Sequence, residues 1–379
     1  MSRVAKSALS RASSACLILV CLLAVRVGCG PGPTVLQPVN VSAAARARIA
    51  TVTHFGDSVT CGALAYPHDG VLPIRSKEGF AGLLDMAIGR PAENFCFSGD
   101  RAADMARVVN ARAVPKLGAH QLYTVLIGVN DANGCGPAAG CRDNFRQTML
   151  ASLAWLAIPA SDKVLAAAAE TRTGTWNADV LFGSAQETRV SGSTLSFSVR
   201  QAVAGRSVYV AYRVFDSSVA RGGAATVLVD GVAVAALSAD SGAAPIATQN
   251  GVHDTVFVAA VPLGGVGLHH VAVRVSSPDG AAFSLLWVGT PTGSYASMEG
   301  APRVVVGGIP ATTDPELNQV VSRYNVLLGE IVAGLVGDGM NIQVAPTATA
   351  LNPGSDMEDK VHPNNAGHHK LAAAFAGVL

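Results

Sequence analysis

Residues 49–62 read Ile-Ala-Thr-Val-Thr-His-Phe-Gly-Asp-Ser-Val-Thr-Cys-Gly, and this stretch decides the predicted fold. Its first half is a short apolar run typical of a buried strand, and a Gly-Asp-Ser turn follows directly. A serine in that turn would lie on an exposed loop at the carboxyl end of the strand. A turn followed by a helix N-cap also explains the tripeptide, because Asp and Ser both favour those positions.

Three more short apolar runs are followed by turn residues, and helical patterns lie between them. The further strand-like runs are Asn94 to Phe97, Tyr123 to Ile127 and Arg303 to Val306. The helical patterns are Gly79 to Ile88, Ala102 to Val109 and Asp143 to Leu156. Strands that alternate with helices predict βαβ units and a parallel sheet, with functional loops at the carboxyl ends of its strands.

A different pattern fills the middle of the chain, from Thr171 to Val288. Short alternating runs are separated there by Gly-rich turns, and Asp230-Gly231 is a hairpin signal between two of them. The clearest runs are Thr194 to Val199, Ser207 to Arg213, Ala225 to Val229 and His269 to Val275. Regular short strands without a helical period predict an antiparallel sandwich. An amphipathic helix, Pro315 to Val336, follows, so an all-β module is predicted inside an α/β domain.

Polar residues follow the other predicted strands as well. Gly99 comes after the second strand, where a backbone amide can approach a ligand without a side chain in the way. Asn130 comes after the third strand and offers an amide donor to the same pocket, although an Asx-turn explains it too. Near the C-terminus, Asp359 and His362 pair a carboxylate with a histidine, as a general base requires.

Taken in this order, the four segments resemble the SGNH (GDSL-type) hydrolase family, over about residues 48–158 and 300–379. The resemblance implies a flavodoxin-like three-layer α/β fold with a parallel sheet, interrupted by the inserted sandwich. It also implies a triad of Ser58, His362 and Asp359. The implied oxyanion hole consists of the Ser58 and Gly99 amides and the Asn130 side chain.

The expected activity is that of an exported serine carboxylic-ester hydrolase without metal or organic cofactor. An acylated, for example acetylated, polysaccharide is the leading substrate. A lipase or lysophospholipase is an alternative, and so is a non-catalytic carbohydrate-binding protein on a hydrolase scaffold. A net charge of +1 without a Lys/Arg block argues against nucleic acid as a partner. His368 and His369 are expected to be solvated on the final helix, and adjacent histidines make poor metal ligands.

The insert resembles the galactose-binding-like jelly rolls that accompany carbohydrate-active enzymes. In such a module Trp176, Tyr212 or Trp287 could stack on a sugar ring. The alternating pattern around these aromatic residues favours packing in the sandwich core instead.

The N-terminus predicts export. Arg3, Lys6 and Arg11 precede an apolar run from Ala15 to Val25, as in a signal peptide. The predicted divisions are a signal peptide at 1–29, a linker at 30–47, a first hydrolase segment at 48–158, the insert at 159–298 and a second hydrolase segment at 299–379. The protein is expected to be secreted or periplasmic.

The cysteines fit that compartment. A lipid anchor at Cys29 would be the one membrane contact, but the charged Arg26 fits a lipoprotein site poorly, so ordinary cleavage is expected. An even set of four other cysteines in an exported chain predicts disulfides. Cys135 and Cys141 bracket a short Gly/Pro loop and form the obvious pair, which leaves Cys61 for Cys96.

Overall fold

The structure is a computed structural model that describes residues 36, 38–65, 75–218, 221–242, 246, 248 and 253–379. The predicted signal peptide, Cys29 and the beginning of the predicted linker lie outside the described residues. The end of the predicted linker forms helix α1 (Ala43–Ala47), which Ser42 caps and which buries Ala45 against the domain.

The chain continues as alternating strands and helices. In order, these are β1 (Thr51–Gly56), α2 (Ser58–Cys61), α3 (Phe80–Ile88), β2 (Ala92–Cys96), α4 (Ala102–Arg112), β3 (Gln121–Leu126), α5 (Val129–Gly134) and α6 (Ala139–Ala157). Each predicted strand and helix of this region is present, with ends that differ by a few residues.

Eleven strands of the insert follow in the described portion of the chain. They are β4 (Lys163–Leu165), β5 (Thr171–Thr173), β6 (Asn177–Ala178), β7 (Gln186–Thr188), β8 (Thr194–Gln201), β9 (Ser207–Phe215), β10 (Ala224–Val229), β11 (Val232–Ser238), β12 (Asp254–Pro262), β13 (Gly267–Val275) and β14 (Phe283–Gly289). They form two antiparallel sheets, β12-β9-β14-β7-β6 and β11-β10-β13-β8-β5, and β4 pairs with β14. Asp230 and Gly231 both have positive φ, as the predicted tight hairpin between β10 and β11 requires.

The last portion of the chain returns to the parallel sheet with β15 (Arg303–Gly307), α7 (Pro315–Gly337), β16 (Ile342–Ala345) and α8 (Asn365–Ala376). The strand order is β16-β15-β3-β1-β2, and every pairing is parallel. Without the insert this is the flavodoxin-like order 2-1-3-4-5. Apolar side chains of α4, α6 and α7 cover one face of the sheet, and those of α3 and α8 cover the other. The predicted fold class, a three-layer α/β domain interrupted by a β-sandwich, is therefore confirmed.

Strand β16 is the element of the sheet that the sequence did not predict. Its four residues read Ile-Gln-Val-Ala, and the two central side chains are exposed at the edge of the sheet. A short edge strand needs no continuous apolar run, so its sequence resembles that of a loop.

The sandwich packs against the helix layer of the α/β domain. Val256 and Val258 on β12 share a core with Met149 on α6. The Thr255 hydroxyl donates to the carbonyl of Ala103 on α4, at 2.8 Å.

Charged side chains reinforce this junction. Arg107 Nε on α4 lies 2.8 Å from Asp254 Oδ1 on β12. Asp254 Oδ2 accepts from Arg213 Nε at 2.6 Å, and Arg213 also reaches Asp179 at 3.2 Å. The insert is thus joined to α6 by apolar contacts and to α4 by a hydrogen bond and an ion pair.

The three aromatic residues that could have stacked on a sugar are all buried. Trp176 and Tyr212 lie in the sandwich core, each 7% exposed. Trp287 is 1% exposed and packs beside Trp155 in the core shared with the α/β domain. The expectation of core packing is confirmed, and for Trp287 the core is the junction rather than the interior of the sandwich.

Candidate active site

Three of the predicted site residues follow strands of the parallel sheet, two at its centre and one at its edge. Ser58 follows β1, Gly99 follows β2 and Asn130 follows β3. In this strand order the direction of winding reverses between β1 and β3, and such a switch point opens a crevice at the carboxyl ends of the strands. The topology therefore brings the three loops to one crevice.

Local geometry fixes the backbone at Ser58. Gly56 ends β1 where a Cβ atom would lie 2.1 Å from both the Leu126 carbonyl oxygen and Thr60 Oγ1, so only glycine fits. Asp57 caps α2, since its Oδ1 accepts from the Val59 amide at 2.9 Å. Ser58 is then the first residue of the helix, with a side chain that is largely buried.

Ser58, His362 and Asp359 form one chain of hydrogen bonds although 304 positions separate the first two. Ser58 Oγ lies 2.9 Å from His362 Nε2, and His362 Nδ1 lies 2.8 Å from Asp359 Oδ2. With the Nδ1 proton donated to the carboxylate, Nε2 is free to accept the hydroxyl proton of Ser58. This arrangement places a base against the serine hydroxyl.

Asp359 is held in its ionised form. Its Oδ1 accepts from the backbone amides of Val361 and His362, both at 2.8 Å. Burial acts to raise the pKa of the Asp359 carboxyl, but the hydrogen bonds from the His362 ring and from these amides outweigh it, so the pKa is lowered. A carboxylate that stays charged can orient the imidazole and stabilise it once protonated.

The loop that carries Asp359 and His362 is anchored on both sides. Asp356 is buried and accepts from the Asn352 amide and from Lys370 Nζ, each at 2.6 Å. Asn364 caps α8 by accepting from the Gly367 amide at 3.0 Å. These contacts fix both ends of the loop against the domain.

The predicted oxyanion donors come from three successive loops. The Ser58 amide is at the first position of α2, where a helical N–H has no intrahelical partner. Gly99 has φ of 84°, a conformation that favours glycine. Asn130 Nδ2 donates to the Asp100 carbonyl at 3.0 Å and lies 3.5 Å from Asp57 Oδ2. The contact with Asp57 is weak at that distance. The Asn130 N–H that faces Asp57 could therefore donate to a substrate oxygen instead.

Buried acids surround this crevice, and they were not identified from the sequence. Burial raises the pKa of Asp57 to about 7, of Asp131 to about 7 and of Asp100 to about 8. Asp131 accepts from the Ala102 amide at 3.0 Å and so ties the loop after β3 to the start of α4. Each of these acids adjoins a predicted site residue, which is the signal that could have revealed them.

Both cysteine pairs lie at disulfide distance. Cys61 and Cys96, whose Cα atoms are 5.3 Å apart, connect the helix that begins at Ser58 to the end of β2. Cys135 and Cys141, with Cα atoms 5.7 Å apart, close the turn between α5 and α6. The first bridge lies three residues along the chain from both Ser58 and Gly99.

The expectation that His368 is solvated was wrong. His368 lies on the face of α8 that packs against α3, is fully buried, and accepts from the Phe80 amide through Nδ1 at 3.3 Å. Burial lowers the pKa of His368 to about 4, so the ring is neutral at physiological pH. In the described residues no group of three or more His, Cys, Asp or Glu side chains is arranged to hold a metal ion.

A second histidine, His54 on β1, was also not singled out from the sequence. Its Nδ1 lies 2.5 Å from Thr124 Oγ1 and its Nε2 lies 2.8 Å from Asp85 Oδ1. The order of groups repeats that of Ser58, His362 and Asp359, but Thr124 is buried within the sheet and 1% exposed. This hydrogen-bonded set therefore joins β1, β3 and α3 rather than meeting a substrate.

Comparison with known proteins gives structural similarity only. No family model matches the chain, and no curated protein is significantly similar to it. A member of the lipolytic protein G-D-S-L family from Veillonella parvula is similar over 87% of this chain and 98% of its own, with 13% identity and a TM-score of 0.39.

Carbohydrate-binding modules match a shorter stretch. A family 36 module in complex with calcium and xylotriose covers 33% of this chain and 96% of its own, with 17% identity and a TM-score of 0.25. A family 6 module from Clostridium cellulolyticum in complex with xylose covers 34% and 94%, with 17% identity and a TM-score of 0.26. Because these TM-scores are low, a function for the chain has to rest on the residues of the site.

Proposed function

We propose that this protein is a serine carboxylic-ester hydrolase of the SGNH type, with Ser58 as nucleophile, His362 as general base and Asp359 as the group that orients His362. The observation that carries the proposal is the unbroken hydrogen-bonded chain from Ser58 Oγ through both ring nitrogens of His362 to the Asp359 carboxylate. A nucleophile, a base and an orienting acid in this order are the requirements for acyl transfer.

The reaction follows from the positions of these atoms. His362 Nε2 takes the Ser58 proton as Oγ attacks the ester carbonyl, and the Ser58 and Gly99 amides with the Asn130 side chain stabilise the oxyanion. Collapse of the tetrahedral intermediate expels the alcohol, which takes the proton from His362. Water, activated by the same histidine, then attacks the acyl-enzyme and releases the acid and free Ser58.

The substrate that we propose is a short acyl ester on a glycan, outside the cytoplasm. The two disulfides support an oxidising compartment. Support for a glycan comes from the resemblance of the insert to jelly rolls that accompany carbohydrate-active enzymes. Since Trp176, Tyr212 and Trp287 are buried, sugar contacts would have to use other residues of the insert.

The direct test is hydrolysis of p-nitrophenyl acetate by the wild type and by Ser58→Ala. Ser98→Ala is the matched control, because Ser98 is an exposed serine beside Gly99 that takes no part in the proposed chemistry. The proposal expects turnover to disappear in Ser58→Ala and to persist in Ser98→Ala. Equal turnover in all three proteins would exclude Ser58 as the nucleophile.

Chain length and binding separate the narrower hypotheses. Acetyl esters hydrolysed faster than long-chain esters would support the deacetylase, whereas the reverse order would support a lipase or lysophospholipase. Polysaccharide binding without turnover of any ester would support the carbohydrate-binding protein. In that case the proposal of an esterase fails.

A further inference from the structure

A cavity of about 380 Å³ lies at the junction of the α/β domain and the sandwich. Its walls come from the end of α4 and the segment after it, from the last turns of α6, from β4, and from the following loop. The residues that line it include Asn110, Val114, Trp155, Lys163, Leu165 and Ala168. The cavity lies at the C-terminal end of α4, whereas Gly99 lies beside its N-terminal end. The 11 residues of the helix, with a rise of about 1.5 Å per residue, separate the two.

Lys163 is the charged side chain of this cavity, and it is 9% exposed. Its Nζ donates to the Trp155 carbonyl at 2.6 Å, in the last turn of α6. The same nitrogen lies 3.8 Å from the centre of the Trp155 ring and 5.6 Å from that of Trp287. These groups stabilise a cation through partial charges only.

Among the described residues no carboxylate lies within ion-pair distance of Lys163. Ion pairs of lysines in that portion of the chain involve Lys360 and Lys370 instead. The neighbouring Asp162 is engaged elsewhere, since its Oδ2 accepts from the Thr292 hydroxyl at 2.6 Å and from the Tyr295 hydroxyl. A buried ammonium without a counter-charge is unfavourable, and this one borders an open volume.

We propose that this cavity is a binding site for a small monocarboxylate, whose carboxylate pairs with Lys163 and whose alkyl chain lies against the apolar wall of Val114, Trp155 and Leu165. The volume falls within the range of small-molecule sites, which occur preferentially at domain junctions and combine apolar walls with few polar groups. The site is separate from Ser58 and does not depend on the proposed esterase activity.

Proton linkage gives the site a distinguishing property. Burial lowers the pKa of Lys163 well below its ordinary value, although the charge of Asp162 acts in the opposite direction. A carboxylate bound beside the amine favours the ammonium form. Above the lowered pKa of Lys163, binding therefore takes up a proton, and the affinity should increase as the pH falls through that pKa.

The test uses butyrate as the probe and butyramide as its neutral analogue, with the full-length protein. Binding is followed by calorimetry and by tryptophan fluorescence, since Trp155 and Trp287 adjoin Lys163. Wild type should bind butyrate saturably, and at least about tenfold more tightly than butyramide. Calorimetry in buffers of different ionisation enthalpy should show proton uptake. Glucuronate should bind more weakly than butyrate, because its hydroxyl groups would face the apolar wall.

Two variants localise the binding. Lys163→Met removes the charge with little change in volume, and Ala168→Phe fills the cavity while it retains the lysine. Each should weaken butyrate binding by about tenfold or more, with thermal unfolding and p-nitrophenyl acetate turnover as controls for folding. No saturable binding to wild type, or wild-type affinity in Lys163→Met, would overturn the site. Glucuronate binding as tight as butyrate would overturn the alkyl assignment.

Discussion

Replacement of Asp359 by asparagine tests the orientation of His362 separately from the folding of its loop. Asparagine retains an oxygen that can accept the two amide hydrogen bonds from Val361 and His362. Its NH₂ group would then face Nδ1, so the ring must carry its proton on Nε2, toward Ser58. The loop should keep its shape, but the ring can no longer accept the serine proton.

The size of the effect follows from the exposure of the carboxylate. In a triad with a buried aspartate this substitution lowers kcat by about 10⁴-fold. The side chain of Asp359 is 43% exposed, and that of His362 is 21% exposed. Water can therefore share in stabilising the imidazolium, and we expect a smaller loss of about 10²- to 10³-fold, or about 2.7–4 kcal/mol in activation free energy.

The assay is kcat and kcat/KM for p-nitrophenyl acetate, with thermal unfolding measured in parallel. Asp359→Ala is the matched control, because it also removes the acceptor of both amide hydrogen bonds and should lower the unfolding temperature. Asp359→Asn should not. An Asn variant that keeps more than about a tenth of the wild-type kcat would refute the role of Asp359 as the group that orients His362.

Three further predictions concern stability. Asp254→Ala should lower the free energy of unfolding by about 3 kcal/mol, because Arg213 stays buried with only a fraction of its counter-charge; an unchanged denaturation midpoint would contradict this. Asp100 has a pKa of about 8 because burial disfavours its charge, so the native state holds a proton that the unfolded chain releases. Stability should then fall as the pH rises from about 4 to about 8, and Asp100→Asn should make that decline shallower in urea titrations. Replacing Cys61 and Cys96 together by serine opens a loop with a sequence separation of 35 and should remove about 2–4 kcal/mol, and reductant should then destabilise the variant less than the wild type, because only the short Cys135–Cys141 bridge is left to reduce.

The sequence was most informative where local pattern and topology agree. The strand before Ser58 and the turns that hold Gly99 and Asn130 are local patterns, and parallel strands bring their carboxyl ends together. The order of the strands, by contrast, was implied by the resemblance to a family, because parallel pairing alone does not fix it. The approach of His362 to Ser58 is not local, and it rested on the resemblance to a family.

What the sequence did not show depends on packing between distant segments. His54 reads as a polar interruption of an apolar run, and only the neighbouring Thr124 and Asp85 explain how it is buried. The burial of His368 depends on which face of α8 meets α3. Lys163 likewise reads as a surface lysine until Trp155 and Trp287 are placed around it. Periodicity indicates that a face is buried, but not what it is buried against.

The position of the insert has a consequence for how the chain reaches its native state. β3 and β15 are neighbours in the parallel sheet, with Leu122 opposite Arg303, so roughly 180 residues of chain must be closed into a loop before they can pair. Within the sandwich, Lys163 lies opposite Gly289, so its first and last strands leave side by side. Once the sandwich has formed, the part of that loop that remains to be ordered is shorter. The entropic cost of closing it is then lower by about 1 kcal/mol, and fewer conformations have to be searched before β3 and β15 pair. Folding of the sandwich would thus bring β15 and β16 close to the first three strands of the parallel sheet, so that the sheet can be completed.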